Sequence, residues 1–226
     1  FLGIMAAQAD RMGRLIADLL SLSRIELNEH VPPSGEADLA LIAREVAEAL
    51  SPQARARDVA VDVTAPAGSA LVEGERDQVL QVVQNLLDNA VKYSPCGGRV
   101  SVVVQDGLKH DDAGRPARRG GASLALLTPD RMRDRERRFV SIRVSDSGPG
   151  IPREALPRLT ERFYRVEGQK SGDRSGTGLG LAIVKHVVNR HRGGLTVESV
   201  AGEGTTVCAY LPQPPGSGTA PAGGAS

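Results

Sequence analysis

Residues 77–94, DQVLQVVQNLLDNAVKYS, hold the first side chains whose types and spacing suit chemistry. Asn85 and Asn89 stand one helical turn apart, Lys92 follows, and Tyr93 sits beside them. At about 100° per residue, Gln78, Gln81, Asn85, Asn89 and Lys92 fall within roughly 80° of one another. The opposite face is an apolar stripe of Val79, Val82, Val83, Leu86, Leu87, Ala90 and Val91. Asn competes for nearby backbone groups and is a poor interior helix former, so helix propensity does not ask for two of them here. Amide oxygens on a stiff helix can face a hard cation, with the lysine near a phosphate. Taken alone, the pattern equally suits a solvated amphipathic helix.

Two glycine motifs add to it. Asp146-Ser-Gly148-Pro-Gly150-Ile151-Pro follows a β-branched run at 140–145. A carboxylate at a strand end can accept a hydrogen bond from a ligand amine while the glycines let the backbone turn sharply beneath it. By itself this motif also fits an ordinary acidic turn. Gly176-Thr177-Gly178-Leu179-Gly180-Leu181 runs straight into an apolar helix through Ile183, Val187 and Val188. Glycine-rich backbone at a helix N-terminus offers free N–H groups and the positive dipole end, both suited to phosphate. A dinucleotide fingerprint would follow a strand and carry an acidic residue about twenty positions on. Here a polar stretch, 167–175, precedes the glycines, and the Gly-Lys-Ser/Thr of a Walker loop is absent.

Helices and strands must hold these motifs together. Asp38 is expected to cap a helix reaching about Arg57, with Leu39, Ile42, Val46 and Leu50 inward. Strands are expected at 59–64 and 70–73, and the amide-faced helix stops at Pro95. Residues 98–105 and 139–145 read as adjacent antiparallel strands. Between them, 106–138 is too long for a hairpin and rich in Gly, Arg and Asp; a small strand at 123–128 is expected inside a mostly mobile insertion. Strands at 195–199 and 205–211 close the fold, and the tail 213–226 is expected to be disordered.

The leading segment, 1–27, spaces Met5, Met12 and Leu19 by seven, with Leu15 and Leu22 three residues behind two of them. That seam, widened by Ile16 and Leu20, is the pattern of a helix in a bundle. The chain starts in mid-pattern without a cap or a start methionine, so a piece of a longer protein is expected. A linker at 28–37, broken by Pro32, Pro33 and Gly35, follows.

Composition bounds the alternatives. The 226 residues, 40% hydrophobic, suit one or two domains. A net charge of +1, with arginine patches at 115–119 and 131–138 that lack interleaved aromatics, gives no reason to expect nucleic acid. No run of 18 or more apolar residues occurs and no signal peptide is recognisable. Cys96 and Cys208 match no metal spacing and read as free thiols in a reducing compartment.

In order along the chain, NLLDNAVKYS, DSGPGIP, ERFYR and GTGLGLAIVK resemble the N, G1, F and G2 boxes of sensor histidine kinases. The resemblance covers about 38–212. The leading helix resembles the second helix of that family's dimerisation and phosphotransfer hairpin, and RLIADLLSLSRIE looks most like the phosphate-regulon branch. The implied fold is an α/β (α+β) two-layer sandwich of the Bergerat or GHKL type: a mixed, mostly antiparallel sheet, helices on one face, ATP between them. By resemblance, Asn89 holds Mg²⁺ with Asn85 assisting, and Lys92 approaches the phosphates. Tyr93 lies against the adenine and Asp146 accepts from its amino group, with Gly148, Gly150 and Ile151 of the same box beside them. Tyr164 and Arg165 face the nucleotide and its phosphates, and Gly176, Thr177, Gly178, Leu179, Gly180 and Leu181 wrap them. The stretch 167–175 corresponds to the ATP lid. The catalytic set implied is Asn85, Lys92 and Arg165. The implied partners are the chain's own hairpin, in a homodimer, and a response regulator, with no nucleic acid or membrane contact. The implied setting is the cytoplasmic part of a bacterial inner-membrane sensor.

The chain departs from that pattern in three places. Thr160 stands where the F box usually has Phe, 106–138 is longer than usual, and His30, His110, His186 and His191 all lack the context of the family's phosphoacceptor. The target histidine is therefore expected on a segment outside these residues. Related ATPases place a Glu one turn before the Mg²⁺-binding Asn to activate water; here that position is Asn85. The resemblance thus favours phosphoryl transfer over a GHKL-type ATPase, a regulatory nucleotide module or a serine kinase.

Overall fold

Asp38 starts the first inward helix: its Oδ1 accepts from the backbone N of Ala40 at 3.0 Å, of Leu41 at 3.3 Å and of Ala70 at 3.1 Å. A cap of this kind stabilises a helix by about 1 kcal/mol, and the third bond ties the helix start to Ala70, just ahead of a strand. The computed structural model describes residues 2–28, 30–109, 111–113, 121–129, 137–166 and 176–215. In chain order the elements are α1 (Leu2–Leu27), β1 (Glu36–Asp38), α2 (Leu39–Ala56), β2 (Ala60–Thr64), β3 (Leu71–Glu73) and α3 (Arg76–Tyr93). Then follow β4 (Arg99–Lys109), β5 (Ala122–Leu127), β6 (Arg138–Asp146), a 3-10 turn at Arg153–Arg158, α4 (Gly180–Arg190), β7 (Gly194–Val200) and β8 (Gly204–Pro212).

Six strands form one sheet in the order β2-β4-β6-β8-β7-β5, while β1 and β3 pair separately. The β2–β4 pair is parallel and every other pair in the sheet is antiparallel. Alternation along the strands puts Val100, Val102, Val104, Val140, Ile142 and Val144 into one core with α2, α3 and α4. The stripe expected on α3 is buried throughout. Each fully buried Val or Leu contributes about 1.5–3 kcal/mol, which outweighs the few tenths of a kcal/mol that each interior Asn forfeits in propensity. On the other sheet face Phe139, Cys208 and Tyr210 form a second cluster with Leu108 and Ala113. Both cysteines are free, Cys96 exposed and Cys208 buried. Among the described residues no helix is long and apolar enough to cross a membrane.

Several boundaries differ from the sequence reading. The expected linker, 28–37, ends in β1, which pairs with β3; three residues are too few to show alternation. The expected strand 98–105 continues to Lys109 after an irregularity between Gln105 and Leu108, where Gly107 has φ 71°. The small strand expected at 123–128 is β5, on the sheet edge beside β7; most of the remaining insertion lies outside the described residues. The tail is held for its first residue: Gln213 N donates to the Arg138 carbonyl at 2.9 Å and its Nε2 to Asp106 Oδ1 at 2.6 Å. Residues 216–226 lie outside the described residues. On α1 the seam splits. Leu22 and Ile25 are buried against the domain, while Met5, Met12, Ile16, Leu19 and Leu20 are 43–63% exposed.

One close approach fixes β8 against the end of β6. Gly204 has φ +130°, and a Cβ there would overlap the carbonyl oxygen of Asp146. Gly204→Ala should therefore destabilise the fold by about 1–3 kcal/mol. A urea midpoint unchanged from the wild type would show that this approach is not needed.

Candidate nucleotide site

The packing of α3 aims its polar face at the N-terminus of α4. A Cβ on Gly180 would lie 2.8 Å from Asn85 Oδ1 and 3.6 Å from Asn89 Nδ2. Asn85 Nδ2 donates to the Gln81 carbonyl at 2.9 Å, which holds its oxygen outward. The amide face divides in use. Gln78 donates to Glu75 at 2.9 Å, and Gln81 exchanges hydrogen bonds with Ser21 of α1 at 2.8–2.9 Å. Asn85, Asn89, Lys92 and Tyr93 line a cavity of about 490 Å³, within the usual size of small-molecule sites.

 Asp146, the last residue of β6, lines the same cavity. Asp146 Oδ1 accepts from Gly148 N at 2.8 Å and from Thr205 N at 3.3 Å, and no described residue donates to Oδ2. Burial pushes its carboxyl up from 3.8 to about 6, against the opposing pull of those two N–H groups. Val144 and Val207 from the sheet and Leu50 from α2 line the cavity with it. A half-buried carboxylate with one open oxygen beside aliphatic side chains suits the amine edge of a heteroaromatic base.

The far end has the opposite character. Lys92, Arg165 and Arg14 line it, together with Gly176, Thr177, Gly178, Gly180 and Leu181 at the start of α4. Burial lowers the Lys92 pKa; Asp88 opposes that shift, while Arg165, Arg57 and Arg14 add to it. Its ammonium lies 5.0 Å from the Tyr93 ring centre. A Cβ on Gly176 would overlap Lys92 Nζ, so a side chain there would push the end of the lysine aside. Gly178, at φ +74°, lies against Phe163: a Cβ there would sit 2.9 Å from Phe163 Cα, and Phe163 N donates to the Gly178 carbonyl at 3.0 Å. That pairing joins the ERFYR segment to the glycine loop, with Phe163 itself at φ 63°. Tyr164 reaches the cavity with the Arg158 guanidinium 4.3 Å from its ring centre.

Of the residues singled out from sequence, Gly150 and Ile151 also line the cavity, whereas Gly148 and Leu179 do not. Gly148 supports Asp146 from beneath, and Leu179 is fully buried, anchoring the loop to the core while its N donates to Thr177 Oγ1 at 3.2 Å. Thr160, the departure in the F box, is buried. The lid stretch, 167–175, lies outside the described residues. Sequence reasoning missed Thr205, which faces Asp146 through the β6–β8 register, and Arg14 and Asp18, which α1 brings to the cavity. No local pattern marks any of the three.

The donors fit a magnesium–polyphosphate ligand. Among the described residues no group of three or more His, Cys, Asp or Glu could hold a metal, so Asn85 and Asn89 would supply amide oxygens and leave the remaining positions to phosphate and water, as Mg²⁺ commonly has it. The histidines are placed elsewhere. His30 is exposed, His186 Nε2 lies 3.4 Å from Glu26, and His191 is buried with Nδ1 2.7 Å from the Val187 carbonyl. His110 lies outside the described residues.

Residues 74–215 match the family described as histidine kinase-, DNA gyrase B-, and HSP90-like ATPase. The chain is 37% identical over 213 residues to the phosphate regulon sensor protein PhoR of Pseudomonas aeruginosa, covering 92% of this chain and 40% of that protein. It therefore spans less than half the length of that relative. Among solved structures, the mycobacterial sensor histidine kinase MprB matches with a TM-score of 0.59 and 28% identity, over 80% of this chain and 99% of that one. Full-length ShkA in complex with AMPPNP shares the fold, with a TM-score of 0.65 and 22% identity over 90% of this chain and 36% of that one.

The Asp146 environment has a measurable consequence. A carboxyl whose folded pKa lies above its unfolded value favours folding while protonated; that contribution is complete below about pH 4 and is lost as pH rises through about 6. Asp146→Asn has no proton to lose and keeps an oxygen for Gly148 and Thr205. Its stability relative to the wild type should therefore rise between about pH 4 and 7, by at most about 3 kcal/mol. Urea unfolding of both proteins across that range checks this, and parallel pH profiles would rule it out.

Proposed function

The chain belongs to the histidine kinase-, DNA gyrase B-, and HSP90-like ATPase family, and from that premise we propose that it is the ATP-binding kinase domain of a sensor histidine kinase. One observation carries the choice of transfer over hydrolysis. The position one turn before Asn89 is a neutral amide, Asn85, whose Nδ2 is committed to the Gln81 carbonyl, so α3 offers no base there to activate water. A nucleophile that needs less help, an imidazole nitrogen on a dimerisation hairpin, is then the acceptor. Relay onward to a response regulator follows the same reading. So does placement in the cytoplasmic part of a longer bacterial membrane sensor that works as a homodimer.

In this reading Asn89 holds Mg²⁺ with Asn85 assisting, Tyr93 lies against the adenine, and the open oxygen of Asp146 accepts from the adenine amino group. Lys92 and Arg165 neutralise charge at the phosphates, and the glycine loop offers backbone N–H groups at the α4 N-terminus. Mg-ATP, when bound, supplies the γ-phosphoryl group. The chain's own residues orient that group and stabilise its charge, which is most of what phosphoryl transfer asks of a protein.

Asp146→Asn should weaken ATP roughly ten- to a hundredfold, the worth of one charge-assisted hydrogen bond, and leave the much weaker GTP binding unaltered. Calorimetry giving equal losses for both would argue against an adenine contact. The chain alone should bind Mg-ATP without labelling itself, and a hairpin bearing the acceptor histidine, added as a separate protein, should become labelled from γ-³²P-ATP. Acid-labile label on the chain by itself would overturn the reading of its histidines. Rapid phosphate release without an acceptor would move it to the ATPase branch.

A further inference from the structure

Helix α1 meets the nucleotide motifs at three separate points. Ser21 bonds Gln81, one turn before Asn85 on α3. Glu26 pairs with Arg162, beside Phe163 and Tyr164, and its Oε1 lies 3.4 Å from His186 on α4. One turn before Ser21, Asp18 Oδ2 accepts from Thr177 Oγ1 at 2.7 Å, inside the glycine loop. Leu22 and Ile25 supply the apolar part of the dock, 1% and 5% exposed.

The Thr177 contact decides what docking does to the site. A hydroxyl has one proton to donate. Here Asp18 takes it, and the Thr177 oxygen already accepts from Leu179 N at 3.2 Å. While Asp18 stays in place, Thr177 has no proton for a phosphate oxygen. Asp18 also puts a carboxylate into the wall of the cavity that Lys92 and Arg165 line, where like charge repels a polyphosphate strongly at reduced dielectric. Arg14, one turn earlier, lines the same cavity with the opposite sign; Asp18 bonds the glycine loop directly.

Resting on the nucleotide reading above, we infer that docked α1 and a bound nucleotide polyphosphate oppose one another, and that Asp18 is the side chain through which they do so. Linkage then makes the effect mutual: triphosphate binding releases α1 from the loop, and undocking α1 tightens triphosphate binding. A ligand with no phosphates has no reason to discriminate.

Calorimetry with Mg-AMPPNP and with adenosine tests this on the whole chain. Asp18→Ala should bind Mg-AMPPNP at least about fivefold tighter than the wild type, Asp18→Asn should fall between the two, and adenosine affinity should not change. The Ser21→Ala/Glu26→Gln pair, which loosens the dock outside the cavity wall, should shift Mg-AMPPNP affinity the same way. Hydrogen exchange should show α1 amides losing protection with Mg-AMPPNP and not with adenosine. If the Asp18 variants bind Mg-AMPPNP no tighter, the opposition is wrong, and weaker binding would make Asp18 part of the cation or phosphate site instead. If neither ligand binds the wild type or any variant, the nucleotide reading fails, and this inference falls with it.

Discussion

The apolar stripe of α3 packs against the sheet and its neighbouring helices, and the polar end of the cavity takes its position from that packing. Val79, Val82, Val83, Leu86, Leu87, Ala90 and Val91 are all buried, so the helix has one rotation about its axis that satisfies them. That rotation leaves Asn85, Asn89 and Lys92 together at the start of α4. Turning the helix to place the amides elsewhere would expose several large aliphatic groups, at a cost well above anything the amides return.

A second constraint acts from the sheet. Asp146 ends β6 at a point where β8 begins opposite it, and the N–H of Thr205 reaches its Oδ1. The two backbone donors only partly offset burial, so the carboxyl stays unusually easy to protonate. Gly204 permits the strand approach on which this depends. The apolar end of the cavity is thus a product of strand register, and the polar end a product of helix rotation. In the proposed reading these two ends take the flat base and the charged phosphates of a nucleotide.

Helix α1 touches this site with one face only. Its two faces serve different purposes: Leu22 and Ile25 hold it to the domain, while Met5, Met12, Ile16, Leu19 and Leu20 remain exposed. The polar contacts of Asp18, Ser21 and Glu26 all land on or beside nucleotide motifs. A displacement of α1 is therefore felt first at those motifs.

Much of the site was legible along the chain, because ligand chemistry demands particular residue types within short windows. Asn85, Asn89, Lys92 and Tyr93 share one helix, Asp146 ends a β-branched strand, and the glycines at 176–180 open a helix, all readable from local spacing. Helix α2 was readable from Asp38 and its inward residues, and the β4–β6 pairing from two β-branched runs. Tertiary structure alone decided the rest. The pairing of β1 with β3, the place of β5 beside β7 and the arrival of Thr205 at Asp146 are matters of strand order and register, set by contacts far apart in sequence. The docking of Asp18 on Thr177 joins residues 159 positions apart. A local pattern records which face of an element is apolar; which partner covers that face, and which polar groups meet as a result, is settled only when the elements pack.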